Sequence, residues 1–283
     1  MDTRQPEPVT GRASAGLFGS SVVNAALVLL AWLVTRAILM SGTFLGDIPG
    51  DVAAYQRWAS DLASGISPAA DLAYVYPPGA LGVISGAFWI APGNYYRAFT
   101  LLAALADFAI LVALWWRVRS RTGQPSVAPW AWVVMGFAAG PLIYQRYDIF
   151  AALQAVAALL TLGRPLVSGT WAGLELLVKL WPEIVLLGLK GKAFGKALIA
   201  NVLVVALGWG VLHVVWGDSW GFIPNVLNKG LAIESTAAFP FLLARGLGSS
   251  HAVTDQFGSY EVVGPGVELA ATLTTLIGVL VLL

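Results

Sequence analysis

Two stretches of one polar loop, Gly46-Asp-Ile-Pro-Gly-Asp51-Val-Ala-Ala-Tyr55-Gln-Arg-Trp58 and Tyr74-Val-Tyr-Pro-Pro-Gly79, decide how this chain is interpreted. The loop follows directly on an apolar run, at about residues 20–40, that is long enough to span a bilayer. Only 11% of the residues in the chain are charged, yet this loop carries four aspartates: Asp47, Asp51, Asp61 and Asp71. A carboxylate-rich loop attached to a membrane helix is a candidate site for chemistry at the membrane surface.

The composition is that of a membrane protein. Of the 283 residues, 58% are hydrophobic, and the mean hydropathy of +0.77 is far above the norm for soluble domains. Apolar runs of about 16–22 residues recur, each close to the length that crosses a bilayer. The net charge of +1 gives no basis for nucleic-acid binding, and the absence of cysteine excludes disulfides and thiolate metal sites. We therefore predict an all-α, polytopic transmembrane helical bundle over residues 20–283, preceded by a flexible cytoplasmic tail at residues 1–19.

Positive charges predict the orientation of the bundle, because cytoplasmic loops concentrate Lys and Arg. Arg4 and Arg12 place the N-terminus inside, so the Asp-rich loop, about residues 41–95, is expected outside. A span at about residues 96–116 then leads back to an arginine cluster at residues 117–121, which belongs inside. The short apolar piece between them, residues 79–92, is consequently expected to be half-inserted or interfacial.

The second half of the chain continues this pattern. Further spans are predicted at about residues 129–144, 149–162 and 197–216, followed by a second long outer loop at about 217–264 and a last apolar segment at 267–283. The segment 170–189 is interrupted by Lys179-Leu-Trp-Pro182, and proline breaks a helix, so a re-entrant pair of half-helices is an alternative to a full span. The last segment has no polar or cationic anchor after it, so we expect further chain beyond it.

The Asp-rich loop offers the first candidate site residues. Asp51 and Tyr55 lie four apart and share one face if the segment is helical. Asp51 could cap that helix, since aspartate is a favoured cap residue, or act as a general base for a sugar hydroxyl. The Tyr76-Pro77-Pro78 stretch either starts a helix rigidly or shapes the rim of a pocket.

Two further junctions carry charge. Arg146 and Asp148 flank a tyrosine between two spans, either as an interfacial anchor with a local ion pair or with Arg146 binding a lipid phosphate. The amphipathic stretch 228–235 predicts a surface helix at the interface. Alternatively, Lys229 faces a phosphate and Glu234 orders it.

Four ionisable residues fall inside apolar runs: Asp107, Glu175, Lys179 and Glu183. Charged groups at membrane depth are costly and are candidates for function. Glu175, Lys179 and Glu183 are spaced four apart, however, so a structural network of helical pairs is an equal alternative.

Taken together, these motifs resemble the GT-C glycosyltransferases, and most closely glycosyltransferase family 87, which includes the mycobacterial phosphatidylinositol-mannoside mannosyltransferases. The segments that carry the resemblance occur in the family's order: Asp51-Val-Ala-Ala-Tyr55, Tyr76-Pro-Pro78, Arg146-Tyr-Asp-Ile-Phe-Ala-Ala-Leu153, Ala172-Gly173 followed by Lys179-Leu-Trp-Pro182, and Lys229-Gly-Leu-Ala-Ile-Glu-Ser235. At the position of Lys229 the family often has arginine.

The resemblance implies an enzyme that inverts configuration as it transfers a sugar, mannose or similar, from a polyprenyl-phosphate donor. The acceptor would be a lipid or glycan at the outer face of the bacterial plasma membrane, in the cell envelope. Asp51 is the implied base, with Asp47 as the alternative, and Arg146 and Lys229 would bind the donor phosphate. We expect support around the pocket from six residues: Tyr55, Tyr76, Asp148, Lys179, Glu234 and Ser235. No cofactor is implied, and a divalent metal is allowed but not required.

Two other classes of function fit the sequence. In a transporter or lipid flippase, Asp107 and the cluster around Lys179 would be coupling residues. In a non-catalytic membrane scaffold, none of these residues would act chemically. Catalysis predicts a glycosylated product and sensitivity at Asp51, transport predicts ion-dependent movement without a new covalent product, and a scaffold predicts neither.

Overall fold

The structure is a computed structural model that describes residues 21–45, 50–119, 127–256 and 258–282. The predicted tail at residues 1–19 and Asp47 lie outside the described residues. The described chain is mainly α-helical, in the following order: α1 (Ser21–Leu45), α2 (Gly50–Ala63), α3 (Pro78–Ile90), α4 (Tyr95–Arg119), α5 (Val127–Ala138), α6 (Leu142–Gln145), α7 (Asp148–Leu160), α8 (Pro165–Val178), α9 (Gly191–Trp216), α10 (Phe222–Leu227), α11 (Phe239–Gly246) and α12 (Val267–Leu282).

Three helices of the described chain are long and apolar enough to cross a membrane. Their spanning segments are Val23–Ser41 in α1, Pro92–Arg119, which contains α4, and Gly191–Trp216, which is α9. Five shorter apolar helices lie among them, in α3, α5, α7, α8 and α12. The prediction of an all-α membrane bundle is confirmed, and α3 is as short as the sequence indicated.

The predicted span at residues 129–144 consists of two pieces. Helix α5 ends at Ala138 and α6 begins at Leu142. Gly140 between them has a φ of 68°, a conformation that glycine adopts without strain, and Pro141 follows it. A continuous span is therefore wrong for this segment, because these two residues end one helix and begin another.

The interruption predicted around Lys179 is present. Helix α8 begins at Pro165, earlier than expected, and ends at Val178; Lys179 is extended, and a 3₁₀ helix follows at Trp181–Gly188. Proline at the first helical position explains the early start. Lys179 and Glu183 do not lie on one α-helix, because α8 ends before Lys179, so their spacing of four residues does not place them on a shared helical face.

Helices α8 and α9 pack with their backbones in close approach. A Cβ atom on Gly169 would lie 2.0 Å from the carbonyl oxygen of Ala197, and one on Gly173 would lie 2.8 Å from that of Asn201. The two glycines are four apart and so face the same neighbour, which is the small-residue pattern of membrane helix pairs. This packing fixes α8 firmly up to the break that presents Lys179.

The second predicted loop contains a small antiparallel sheet that the all-α prediction did not include. Its strands are β1 (Leu231–Ala232), β2 (Ala252–Gln256) and β3 (Ser259–Val263), in the spatial order β1-β3-β2. The surface helix predicted over residues 228–235 is wrong, because α10 ends at Leu227 and the chain then pairs with β3. β-branched residues in β2 and β3 and a turn at Gly258, with a φ of 68°, favour the hairpin.

A buried ion pair joins the first spans. The Arg36 and Asp107 side chains are 2% and 0% exposed, and Arg36 Nε lies 2.9 Å from Asp107 Oδ2. Asp107 also accepts hydrogen bonds from three other buried or half-buried side chains: Trp32 Nε1 at 2.9 Å, Trp132 Nε1 at 2.7 Å and the Tyr144 hydroxyl at 2.7 Å. A buried charge needs such pairing, so this network holds α1, α4, α5 and α6 in fixed register.

Candidate functional site

A cavity of about 320 Å³ opens where several segments meet: α2, the residues before α3, the α6–α7 junction, the break after α8, the chain after α10 and the β2–β3 turn. Six charged residues from distant parts of the sequence line it: Asp51, Asp148 and Glu234, with Arg146, Lys179 and Lys229. A pocket of this size that combines apolar walls with a few converging polar groups is typical of a binding site.

Asp51 lies in the first turn of α2, which begins at Gly50. It is therefore inside the helix, where the helix dipole favours a negative charge, and the N-cap interpretation is wrong. Arg146 Nε lies 2.9 Å from Asp51 Oδ2, and the two side chains are 45% and 38% exposed. This ion pair is thus open to solvent and to a ligand entering the cavity.

Arg146 has a second carboxylate neighbour. Its Nη2 lies 3.8 Å from Glu234 Oε1. Burial alone would lower the pKa of Arg146, but the charges of Asp51, Asp148 and Glu234 outweigh it and raise the pKa. The guanidinium is therefore permanently charged, and three carboxylates surround it.

Lys179 and Asp148 form the other ion pair of the cavity. Lys179 Nζ contacts Asp148 Oδ1, and the same ammonium lies 5.1 Å from the centroid of the Tyr147 ring. Asp148 stands in the first turn of α7, and Lys179 is presented by the end of α8. The local ion pair considered between Arg146 and Asp148 is wrong, because each of them pairs with a residue from another element.

Tyrosines form one wall of the cavity. The rings of Tyr76 and Tyr147 meet edge to face with centroids 4.9 Å apart, and Tyr55 lies next to both at 6.3 and 5.9 Å. Burial raises the pKa of Tyr76 to about 12, and burial also raises those of Tyr55 and Tyr147. All three hydroxyls are therefore neutral at physiological pH, and a hydrogen bond links those of Tyr55 and Tyr76.

Most of the residues singled out in the sequence meet in this cavity. It is lined by eight of them: Asp51, Tyr55, Tyr76, Arg146, Asp148, Lys179, Lys229 and Glu234. Ser235 does not line it, and Asp47 lies outside the described residues. Pro78 begins α3 while Tyr76 lines the cavity, so both interpretations of the Tyr76-Pro77-Pro78 stretch hold.

Sequence reasoning missed the contribution of the hairpin. Gly258, in the β2–β3 turn, and Ser259, at the start of β3, also line the cavity. Pairs of β-branched residues on both sides of Gly258, at 253–254 and 262–263, were a readable hairpin signal. In the described part of the chain, no group of three His, Asp or Glu side chains is arranged to hold a metal ion.

The fold and the cavity together define a helical membrane protein with a charged, accessible site of substrate size. The comparison with protein families names the class: the sequence profile of glycosyltransferase family 87 matches residues 74–283. The chain belongs to glycosyltransferase family 87, and it is a glycosyltransferase. No curated protein and no solved structure matches it. Asp51 and Tyr55 lie just before the matched residues, but the cavity joins them to Arg146, Lys179 and Lys229 within the match.

Proposed function

We propose that this chain transfers a sugar, mannose or a similar hexose, from a polyprenyl-phosphate donor to a lipid or glycan acceptor, with inversion at the transferred carbon. The observation that carries the proposal is the convergence of three carboxylates, Asp51 among them, with three cations in a single cavity beside apolar helices. A lipid-linked donor is held by its tail in the bilayer, so only its head requires positioning. We further propose that the cavity faces the outside of a bacterial plasma membrane, with the N-terminus in the cytoplasm.

In this reaction Asp51 is the general base. The acceptor hydroxyl oxygen attacks the anomeric carbon, the bond from that carbon to the phosphate oxygen breaks, and the phosphate leaves with the electron pair. The hydroxyl proton goes to Asp51, which must lie within hydrogen-bond reach of the acceptor. Inversion needs one carboxylate only, because a phosphate leaving group needs no general acid, unlike the alcohol released by a glycoside hydrolase. Asp47 remains the alternative base.

Cationic side chains stabilise the leaving phosphate. We assign this role to Arg146 and Lys229, which line the same cavity, and Lys179 lies close enough to contribute. A guanidinium binds phosphate oxygens in a planar fork, and its charge does not depend on pH. Negative charge that develops on the phosphate is stabilised most where the cations are already in place, and Arg146, Lys179 and Lys229 all line this cavity.

The test is transfer by the purified chain in lipid vesicles. The donors are a panel of radiolabelled polyprenyl-phosphate hexoses, the acceptors are an extracted lipid and glycan fraction, and the product is identified by mass spectrometry. We expect a new covalent glycoside, and Asp51→Asn should reduce its formation by about two orders of magnitude or more. Asp61→Asn, on the same helix, is the matched control and should transfer normally. Unimpaired transfer by Asp51→Asn would remove Asp51 from the mechanism, and ion-dependent uptake without a covalent product would indicate a transporter.

A further inference from the structure

A second cavity, of about 370 Å³, adjoins the first at Lys229, which lines both. Its walls come from the chain between α10 and β1, from strands β2 and β3, and from the first turns of α12. None of the proposed donor contacts other than Lys229 lines it. A glycosyl transfer requires a donor and an acceptor. The proposed function places the donor in the first cavity and assigns no substrate to the second.

The second cavity is rich in groups that recognise hydroxyls. Its exposed side chains include the amides of Asn228 and Gln256, the carboxylate of Glu268 and the hydroxyl of Thr272. Amides and hydroxyls both donate and accept hydrogen bonds, as the hydroxyls of a sugar do. Valine, leucine and alanine side chains complete the lining, which suits the apolar C–H faces of a sugar ring.

The charge balance of this cavity argues against an anionic ligand. Lys229 is its one cation among the described residues, while Glu261 and Glu268 bring two carboxylates. The first cavity, by contrast, balances three carboxylates with three cations. A phosphate placed in the second cavity would face net negative charge, whereas a neutral polyol would not.

Hydrogen bonds of Glu261 hold the wall between the two cavities. Glu261 is 3% exposed, its Oε2 accepts a hydrogen bond of 2.9 Å from the backbone N–H of Gly230, and its Oε1 accepts one of 3.1 Å from the Ser259 hydroxyl. A Cβ on Gly230 would lie 2.7 Å from Glu261 Oε2, so glycine permits this close contact. Glu261 thereby fixes both the backbone next to Lys229 and Ser259, which lines the first cavity. Preorganised walls of this kind favour specific binding.

We infer that the second cavity binds the acceptor, and that the part it recognises is an uncharged, hydroxyl-rich group such as a sugar or a cyclic polyol. The inference rests on the proposed function, in which the donor occupies the first cavity. An acceptor held there would meet the donor across Lys229 and Ser259. Thr272 on α12 and Gln256 on β2, which both line the cavity, are its positioning residues.

The test is protection of an introduced thiol, and it is possible because the native chain has no cysteine. Thr272→Cys places the thiol in the second cavity, and Thr275→Cys is the matched control: both threonines are exposed on α12, and each hydroxyl donates to the carbonyl four residues earlier, at 2.9 and 3.0 Å. The chain is held in lipid nanodiscs, and the probes are octyl hexoside, octyl hexoside phosphate and polyprenyl phosphate. Labelling rates with a water-soluble maleimide are compared with and without each probe.

Octyl hexoside should slow labelling of Thr272→Cys by about three-fold or more, leave Thr275→Cys unchanged, and protect better than its phosphorylated form. Gln256→Cys, on strand β2 of the same cavity, should be protected in the same way. No protection by the hexoside at either site, or equal protection of the control, would overturn the inference. Stronger protection by either phosphate probe would also overturn it and would assign the cavity to an anion. The assay needs no turnover, so its failure would leave the proposed function standing, and the transfer assay with Asp51→Asn tests that function separately.

Discussion

Arg146 Nε lies 2.9 Å from Asp51 Oδ2, so the proposed base is paired with a cation proposed to bind the donor. A donor phosphate entering the cavity competes with Asp51 for the same guanidinium. Because both partners are more than a third exposed, the ion pair is weak enough to be exchanged. Binding of the donor would then free Asp51 for the acceptor hydroxyl.

The first prediction is that Asp51→Asn binds polyprenyl phosphate more tightly while it loses transfer. The substitution removes the carboxylate that competes for Arg146, and an exposed ion pair is worth about 0.2–1 kcal/mol, so the affinity should rise by up to about five-fold. Quenching of the intrinsic tryptophan fluorescence by the lipid in nanodiscs measures it. Asp61→Asn should bind as the wild type does, and weaker binding by Asp51→Asn would show that the carboxylate does not compete with the phosphate.

The second prediction concerns Lys229. Lys229→Gln should raise the donor KM by about ten-fold or more, because a hydrogen bond to a charged group is lost, and Lys229→Arg should restore most of the affinity. Lys196→Gln removes the same charge from an exposed position on α9 that lines neither cavity and serves as control. Steady-state transfer with varied donor separates KM from kcat. An unchanged donor KM in Lys229→Gln would move the phosphate towards Lys179 and Arg146.

The extent to which the sequence predicts this structure differs between its parts. Hydropathy predicts α1 and α4 well, because a span of about 20 apolar residues has few alternatives in a bilayer. It fails at residues 139–141, where a two-residue Gly-Pro turn divides one apolar run. It also fails in the loop after α10, where β1 pairs with residues of β3 that lie 29 and 31 positions further along the chain. Hydropathy and helix periodicity are evaluated over windows of many residues, so they detect neither a two-residue turn nor pairing between strands distant in sequence.

At the site, too, the sequence predicts some features and not others. Local motifs identified Asp51, Arg146 and Lys229, but no spacing rule could predict which charges pair. The spacing gives Lys179 helical partners at residues 175 and 183, yet the chain leaves the helix at that residue and its ammonium contacts Asp148 instead. Partner choice in a bundle is decided by the packing of helices distant in sequence, here α7 against α8.

A third prediction follows from the buried network of α1 and α4. Asp107→Asn leaves Arg36 buried without its counter-charge and should lower the free energy of unfolding by about 3–5 kcal/mol. The double variant Arg36→Met/Asp107→Leu should be less destabilised than Asp107→Asn, because it removes both charges. Unfolding in mixed micelles measures both. Transport coupling by Asp107 would instead predict a stable variant with altered ion dependence.

The fourth prediction is a pH dependence at Asp71, in the loop between α2 and α3. Burial raises the pKa of Asp71, but hydrogen bonds from Trp58 Nε1, the Ala73 N–H and Arg57 outweigh it and lower the pKa. A lowered folded-state pKa stabilises the fold above the unfolded value of about 3.9, and the stabilisation is lost as the pH falls through the folded value. Asp71→Asn should therefore melt below the wild type at pH 7 and approach it near pH 3. An equal difference at both pH values would contradict this.

The last prediction concerns the side of the membrane on which the site lies. If the arginines at residues 117–121 and the lysines at 190–196 are cytoplasmic, α2 and the β2–β3 region lie together on the outside. Ser64→Cys and Ser249→Cys, both at exposed positions, should react with an impermeant maleimide in intact cells, whereas Lys192→Cys should react only after permeabilisation. The native chain has no cysteine, so each signal reports one position.

Because Asp51 and Gly258 line one cavity, Ser64 and Ser249 should lie on the same side of the membrane even if the orientation of the whole chain is reversed. If only Lys192→Cys is labelled in intact cells, the orientation is reversed and the proposed transfer lies on the cytoplasmic face. If only one of the two serine variants is labelled, the arrangement of α2 beside the hairpin is contradicted.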